Sequence, residues 1–183
     1  MVKKMKQKET NGLEPKKQMA EVSDGSHLTW DEYFMSLAKL VSLRSKDPRM
    51  KAGAVIIDPI EKTVISTGYN GFPRGCPDSM FPWEKGDDLD PYDTKFPYVV
   101  HAELNAILAS ETKLRGKRMY VTHSPCNECM KAIIQSGIRE IVYQKEYDMH
   151  ELSYRTSMRM ATSAGVSIWK YKDNGKKVTI ESV

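Results

Sequence analysis

The spacing of apolar and polar residues divides the chain into alternating helical and extended segments that begin near Leu28. Tyr33, Phe34, Leu37, Leu40 and Val41 recur at helical intervals, and Thr29 with Glu32 makes a capping-box pattern just ahead of them, so a helix starts there. Ala52 to Asp58 and Thr63 to Tyr69 read as two paired strands joined by a turn over Pro59 to Lys62. Phe72 to Pro97 is rich in Pro, Asp and Gly and reads as a long loop, a length that usually signals function in a compact domain. Beyond it, Leu104, Ile107 and Leu108 have the spacing of a helix with one buried stripe. Met119, Val121 and His123 then alternate against Tyr120 and Thr122, which predicts a strand over Lys117 to His123. A second short helix, a strand from Ile138 to Tyr143, a helix from about Glu151 to Ala164 and a strand from Val166 to Lys172 complete the pattern. Alternation of this kind predicts an α/β fold, a mixed sheet covered by helices, over residues 28–172. Met1 to His27 nearly lacks large apolar residues and reads as a disordered basic tail, and residues 173–183 as a C-terminal tail.

Composition narrows the class. The 183 residues are 40% hydrophobic with no apolar run near the roughly 18 residues of a membrane span, which fits one soluble domain. Nothing resembles a signal peptide, and three cysteines fit a reducing compartment, so a cytoplasmic location is expected. The net charge of +4 is carried partly by the N-terminal tail, and no Lys or Arg cluster beside aromatics tracks along an element. A nucleic-acid partner is therefore not expected.

Two short motifs bring in chemistry, His101-Ala102-Glu103 and Ser124-Pro125-Cys126-Asn127-Glu128-Cys129. Two thiolates and an imidazole leave one position of a tetrahedral Zn²⁺ open, the composition of a catalytic site and not of a closed structural one. The order H-x-E followed by P-C-x-x-C is the signature of zinc deaminases, in which the Glu acts outside the metal shell. Cys126 and Cys129, three residues apart, share a helix face, with Pro125 suited to the first helical position and Ser124 to the N-cap. Their place in the first turn favours thiolate over thiol. His101 and Glu103 would point to opposite sides of a regular helix, so His101 is placed at the helix entry. Read alone, the Cys pair also fits a redox motif or half of a structural zinc site, but neither accounts for the HAE. Cys76 is far from a second ligand pair and reads as an ordinary thiol. The reaction these parts imply is hydrolytic deamination, with Glu103 taking a proton from water and returning it.

Further segments resemble the deoxycytidylate deaminases of the cytidine and deoxycytidylate deaminase superfamily. They are Arg44-Ser45-Lys46-Asp47-Pro48, Gly68-Tyr69-Asn70-Gly71 with Pro73, Pro82-Trp83, Asp93 to Tyr98, the extended HAELNAI from His101 and Tyr120-Val121. The resemblance spans about Leu28 to Tyr171 and implies a three-layer α/β/α sandwich with a five-stranded mixed sheet of the cytidine-deaminase type, assembled into hexamers. It implies conversion of dCMP to dUMP and ammonia, with Glu103 catalytic and His101, Cys126 and Cys129 on Zn²⁺. By the same resemblance Asn70 contacts the sugar, Arg44 and Ser45 the phosphate, the Ala102 backbone and Ser124 carbonyl the pyrimidine edge, and Tyr147 lines the pocket. Activation by dCTP and inhibition by dTTP are implied for the region of Gly68, Asn70 and Gly71. Asn70 also suits a turn, and Arg44 with Lys46 also suits a helix C-terminus, as purely structural residues. A tRNA or polynucleotide deaminase, a free-nucleoside deaminase and a non-catalytic zinc protein that binds nucleotides are the competing readings.

Overall fold

The computed structural model describes residues 25–86, 88–146, 151–173 and 175; the expected tail up to residue 24, Tyr147 and most of the C-terminal tail lie outside them. In chain order the elements are α1 (Trp30–Ser42), β1 (Gly53–Ile57), β2 (Val64–Tyr69), a 3₁₀ turn (Pro91–Asp93), α2 (Ala102–Leu108), β3 (Arg118–His123), α3 (Asn127–Ser136), β4 (Glu140–Lys145), α4 (Glu151–Ala164) and β5 (Ser167–Lys170). The five strands form one sheet in the order β2-β1-β3-β4-β5. β1 runs antiparallel to both β2 and β3, whereas β3, β4 and β5 are parallel. Parallel neighbours need crossovers, and α3 and α4 supply them.

Strand parity sorts the core into two faces. Val55, Ile57, Tyr120 and Val142 meet Phe34, Met35 and Ala38 of α1 on one side. Ala54, Ile56, Met119, Val121 and Ile141 meet Ala102, Ala106, Met130, Ile133 and Ala161 of α2, α3 and α4 on the other. The sheet therefore lies between two helical layers, and the central strands are buried on both sides. At the start of α1 the capping box forms as expected, with Thr29 Oγ1 accepting from Glu32 N and the Glu32 carboxylate accepting from Thr29 N.

The buried face of α2 differs from the expected stripe. Ala102, Glu103 and Ala106 face inward, while Leu104 and Ile107 are only partly buried and Leu108 is 71% exposed. The reason is the closeness of the helix to the sheet. A Cβ on Gly68 of β2 would stand 2.3 Å from both Ala102 O and Ala106 N, so backbone meets backbone there, and the buried residues of α2 at this contact are the alanines Ala102 and Ala106. Gly53 does the same for α1, where a Cβ would lie 2.1 Å from Ala38 O. Replacing Gly68 by Ala forces α2 off β2 and is expected to cost about 1–3 kcal/mol in urea denaturation, with reduced metal content because α2 is capped by His101. An unchanged midpoint and metal content would show that the contact is not restrictive.

The segment from Phe72 to Pro97 is a loop, as expected, but it has a small aromatic core of its own. Phe72 packs on Trp83 and Phe81 at centroid distances of 4.1 and 5.4 Å, and Phe81 meets Tyr98 at 5.2 Å. Gly71 and Val100 exchange two backbone hydrogen bonds, and Lys95 N donates to Glu84 O. These contacts hold the loop against the entrance of α2.

Candidate active site

His101 is the N-cap of α2, with extended backbone at φ −72° and ψ 155°. This departure from helical geometry is what lets His101 and Glu103 serve one site although they are two residues apart. The other half opens α3, but its cap differs from the expectation. Cys126, not Ser124, is the N-cap: its Sγ accepts from Cys129 N at 3.4 Å, and Pro125 stands outside the helix. Ser124 stands two residues before the cap position, and the Cys126 sulfur satisfies one of the orphan N–H groups of α3 in its place. Two serines of α4 brace this corner. Ser157 Oγ donates to Pro125 O at 2.9 Å, and Ser153 Oγ donates to Asn127 Oδ1 at 2.8 Å while accepting from Asn127 N. Neither serine carries a motif, so pattern reading had no means of finding them.

The three donors converge as one group. His101 Nδ1 lies 3.5 Å from Cys126 Sγ and 3.3 Å from Cys129 Sγ, and all three donor atoms lie within 4.8 Å of one another. Ordinary Zn–N and Zn–S bonds at a tetrahedral angle separate N from S by roughly 3.6 Å, so the set fits Zn²⁺. Hydrogen bonds from the Cys129 side chain, then from His101 and the Cys129 N–H, outweigh burial and draw the Cys126 thiol down to about 4. Cys129 is pushed up, first by its hydrogen bond to Cys126 and then by burial. The hydrogen bond to Cys126 raises His101. A divalent cation reverses the thiol's preference, because a coordinating thiol is deprotonated outright.

Glu103 is 6% exposed, and burial is the main reason its carboxyl holds a proton more tightly than an ordinary glutamate. It shares a cavity wall with His101, Ala102, Ser124 and Cys126. Asp47, Asn70, Lys95 and His123 complete the polar lining, with Met50, Ala52, Phe96 and Val99 as its apolar part. A buried carboxyl that holds its proton more tightly than usual, beside a set of metal donors, can accept and return protons.

Other expected site residues are distributed unevenly. Asn70, Ala102 and Ser124 border the cavity. Asn70 is also held by its surroundings: Oδ1 accepts from Ala52 N at 2.7 Å, and Nδ2 donates to Met50 O at 2.9 Å and Asp47 Oδ2 at 3.3 Å. Arg44 is exposed and Ser45 is buried with its Oγ accepting from Asp47 N, and neither is on the cavity wall. Gly68 lies beneath α2 and Gly71 in the bridge to Val100, so of the three residues linked to regulation only Asn70 borders the cavity. Asp47, Lys95 and His123 are cavity residues for which the sequence reading held no role.

Comparison with known proteins agrees with this geometry. A family model described as the cytidine and deoxycytidylate deaminase zinc-binding region matches residues 28–145. The probable deoxycytidylate deaminase of Drosophila melanogaster is 44% identical over 160 residues, 85% of this chain and 78% of that protein. The deoxycytidylate deaminase of Homo sapiens is 42% identical over 168 residues, 89% of this chain and 93% of that protein. Among solved structures, the dCMP deaminase of cyanophage S-TIM5 in complex with dCMP and dUMP matches with a TM-score of 0.62 and 30% identity, over 79% of this chain and 100% of that one. The five-stranded sheet with its helical layers is the fold of these neighbours, and the metal-donor group falls inside the matched region. The chain belongs to the cytidine and deoxycytidylate deaminase family.

Proposed function

We propose that this protein hydrolyses dCMP to dUMP and ammonia, and so supplies dUMP for thymidylate synthesis. The observation that carries the reading is the convergence of His101 Nδ1 and the Cys126 and Cys129 sulfurs beside the buried Glu103 on one cavity wall. Zn²⁺ held by those three residues supplies the Lewis acid that makes water nucleophilic at neutral pH. Glu103 takes one proton from the attacking water and gives it to the ring nitrogen, then takes the second from the hydroxyl now on the ring carbon and gives it to the departing amine, so that water and an aminopyrimidine become a carbonyl and ammonia. Burial makes its carboxyl hold a proton more tightly than an ordinary glutamate, as a group that must carry protons requires.

The Ala102 backbone and the Ser124 carbonyl hold the pyrimidine edge in this reading, with Ser124 N donating to Lys145 O. Both amide hydrogens of Asn70 are engaged, so its contact to a sugar hydroxyl uses the second lone pair of Oδ1. Tyr147 completes the pocket as an expectation from the sequence. The same reading makes the protein a cytoplasmic hexamer, activated by dCTP and inhibited by dTTP through the Gly68 to Gly71 region. No helix among the described residues is long and apolar enough to cross a membrane.

One assay tests substrate and regulation together. Ammonia release from zinc-loaded protein is measured with dCMP, CMP, deoxycytidine and dCTP in parallel, and with dCTP or dTTP added at subsaturating dCMP. We expect dCMP to be strongly preferred and its rate to rise with dCTP and fall with dTTP. Preference for deoxycytidine, CMP or dCTP would overturn the substrate reading, and indifference to both triphosphates would remove the regulatory one.

A further inference from the structure

Substrate recognition in the proposed reaction must include a phosphate, and the cation nearest at hand in sequence terms, Arg44, is not on the cavity wall. Lys95 is. It is a lysine only 8% exposed, it borders the same cavity as Glu103 and Cys126, and it comes from the long loop packed at the entrance of α2. Buried lysines are rare unless paired. Lys95 Nζ donates to Asp47 Oδ2.

Asp47 is used to capacity. Its Oδ1 accepts from Arg49 N at 2.9 Å and Met50 N at 3.0 Å, and its Oδ2 accepts from Asn70 Nδ2 and from Lys95. Burial works against the charge on this carboxyl, but the hydrogen bonds from Lys95, Met50 and Arg49 outweigh it and keep it below the usual carboxylate range. The ammonium is in the opposite condition. It has three N–H donors, and Asp47 is its one side-chain acceptor among the described residues. A pair whose acid is saturated and whose base retains donors offers a cation held in a fixed position, with its remaining hydrogens available to an anion in the cavity.

We infer that Lys95 recognises the phosphate of the nucleotide substrate, and that Asp47 and Asn70 are positioning residues that hold its ammonium in place. The inference rests on the nucleotide reading given above. It also explains why Asn70, whose amide hydrogens go to Asp47 and Met50, lies beside this pair. Charge-assisted contacts to phosphate are stronger than neutral ones, and a cation already held by the protein loses little freedom on binding.

The test compares kcat/KM for dCMP and deoxycytidine in wild type, Lys95→Arg and the double variant Asp47→Asn/Lys95→Gln. The double variant is used because removing Lys95 alone strands a buried charge on Asp47. In it, kcat/KM for dCMP is expected to fall by about 10- to 100-fold more than kcat/KM for deoxycytidine, chiefly through KM; Lys95→Arg is expected to stay within a few-fold of wild type on both. Equal losses on the two substrates would overturn the inference, and so would undiminished dCMP turnover. If the double variant turns over neither, equilibrium binding of dCMP and deoxycytidine to zinc-loaded protein decides: affinity lost for dCMP alone supports the role, and any other pattern rejects it. Wild-type protein that does not deaminate dCMP would instead sink the functional reading, and the same binding comparison would still judge Lys95.

Discussion

Glu103→Gln is expected to retain its zinc and to deaminate at least about 10²- to 10⁴-fold more slowly, the range attributable to a positioned acid–base group. The amide preserves volume and hydrogen-bonding outline but cannot carry a proton between water, ring nitrogen and amine. Glu103 is not among the three metal donors, so the metal content of the variant should match wild type. Stability separates loss of chemistry from loss of fold. Because burial disfavours the ionised carboxylate at this position, replacing it with a neutral amide removes a cost, and the thermal midpoint should be no lower than wild type. Zinc analysis, thermal unfolding and ammonia release on the same preparation check all three points. Substantial turnover by a zinc-loaded Glu103→Gln protein would remove Glu103 from the mechanism.

The second large effect concerns the metal donors. Cys129→Ser or His101→Ala should lose zinc, turnover and stability together, because a metal held by this donor group would link the first turn of α3 to the N-cap of α2. A ligand present at a thousand times its dissociation constant stabilises the state that binds it by about 4 kcal/mol. Wild-type protein treated with a chelator should therefore drop in thermal midpoint toward the variants, while the variants themselves barely respond. A Cys129→Ser protein with full zinc content and wild-type stability would show that the metal is held elsewhere. The contrast with Glu103→Gln is diagnostic: one substitution removes the proton carrier and leaves the site intact, and the other dismantles the site.

The reach of the sequence follows the range of the interactions involved. The Thr29 to Glu32 capping box, the boundaries of α4 and the β1 to β2 hairpin arise from contacts a few residues apart, and each was legible in the pattern. The same holds for the metal donors. His101 and Glu103 belong to one helix entry and Cys126 and Cys129 to another, so residue type and spacing alone pointed to the group that the fold brings together. The apparent conflict between His101 and Glu103 was also resolved locally, by an N-cap whose backbone is extended.

Other features were decided only when distant segments met. The face that α2 buries depends on Gly68, which lies on a separate strand and admits backbone instead of leucine side chains, so the helical spacing of Leu104, Ile107 and Leu108 misdirected the assignment. Asp47 and Lys95 are 48 residues apart in sequence, and nothing local marks either as a cavity residue until the loop packs against the entrance of α2. Asn70 reads as a turn or substrate residue from its neighbours, yet its hydrogen bonds go to Ala52, Met50 and Asp47. By itself the sequence determined the order of elements and singled out the His101, Cys126 and Cys129 group that the fold brings together beside Glu103, because periodicity and short spacings record interactions between near neighbours. The tertiary structure decided which helix face is buried and which charged groups border the cavity, because those outcomes depend on burial and pairing between segments that pattern alone does not bring together.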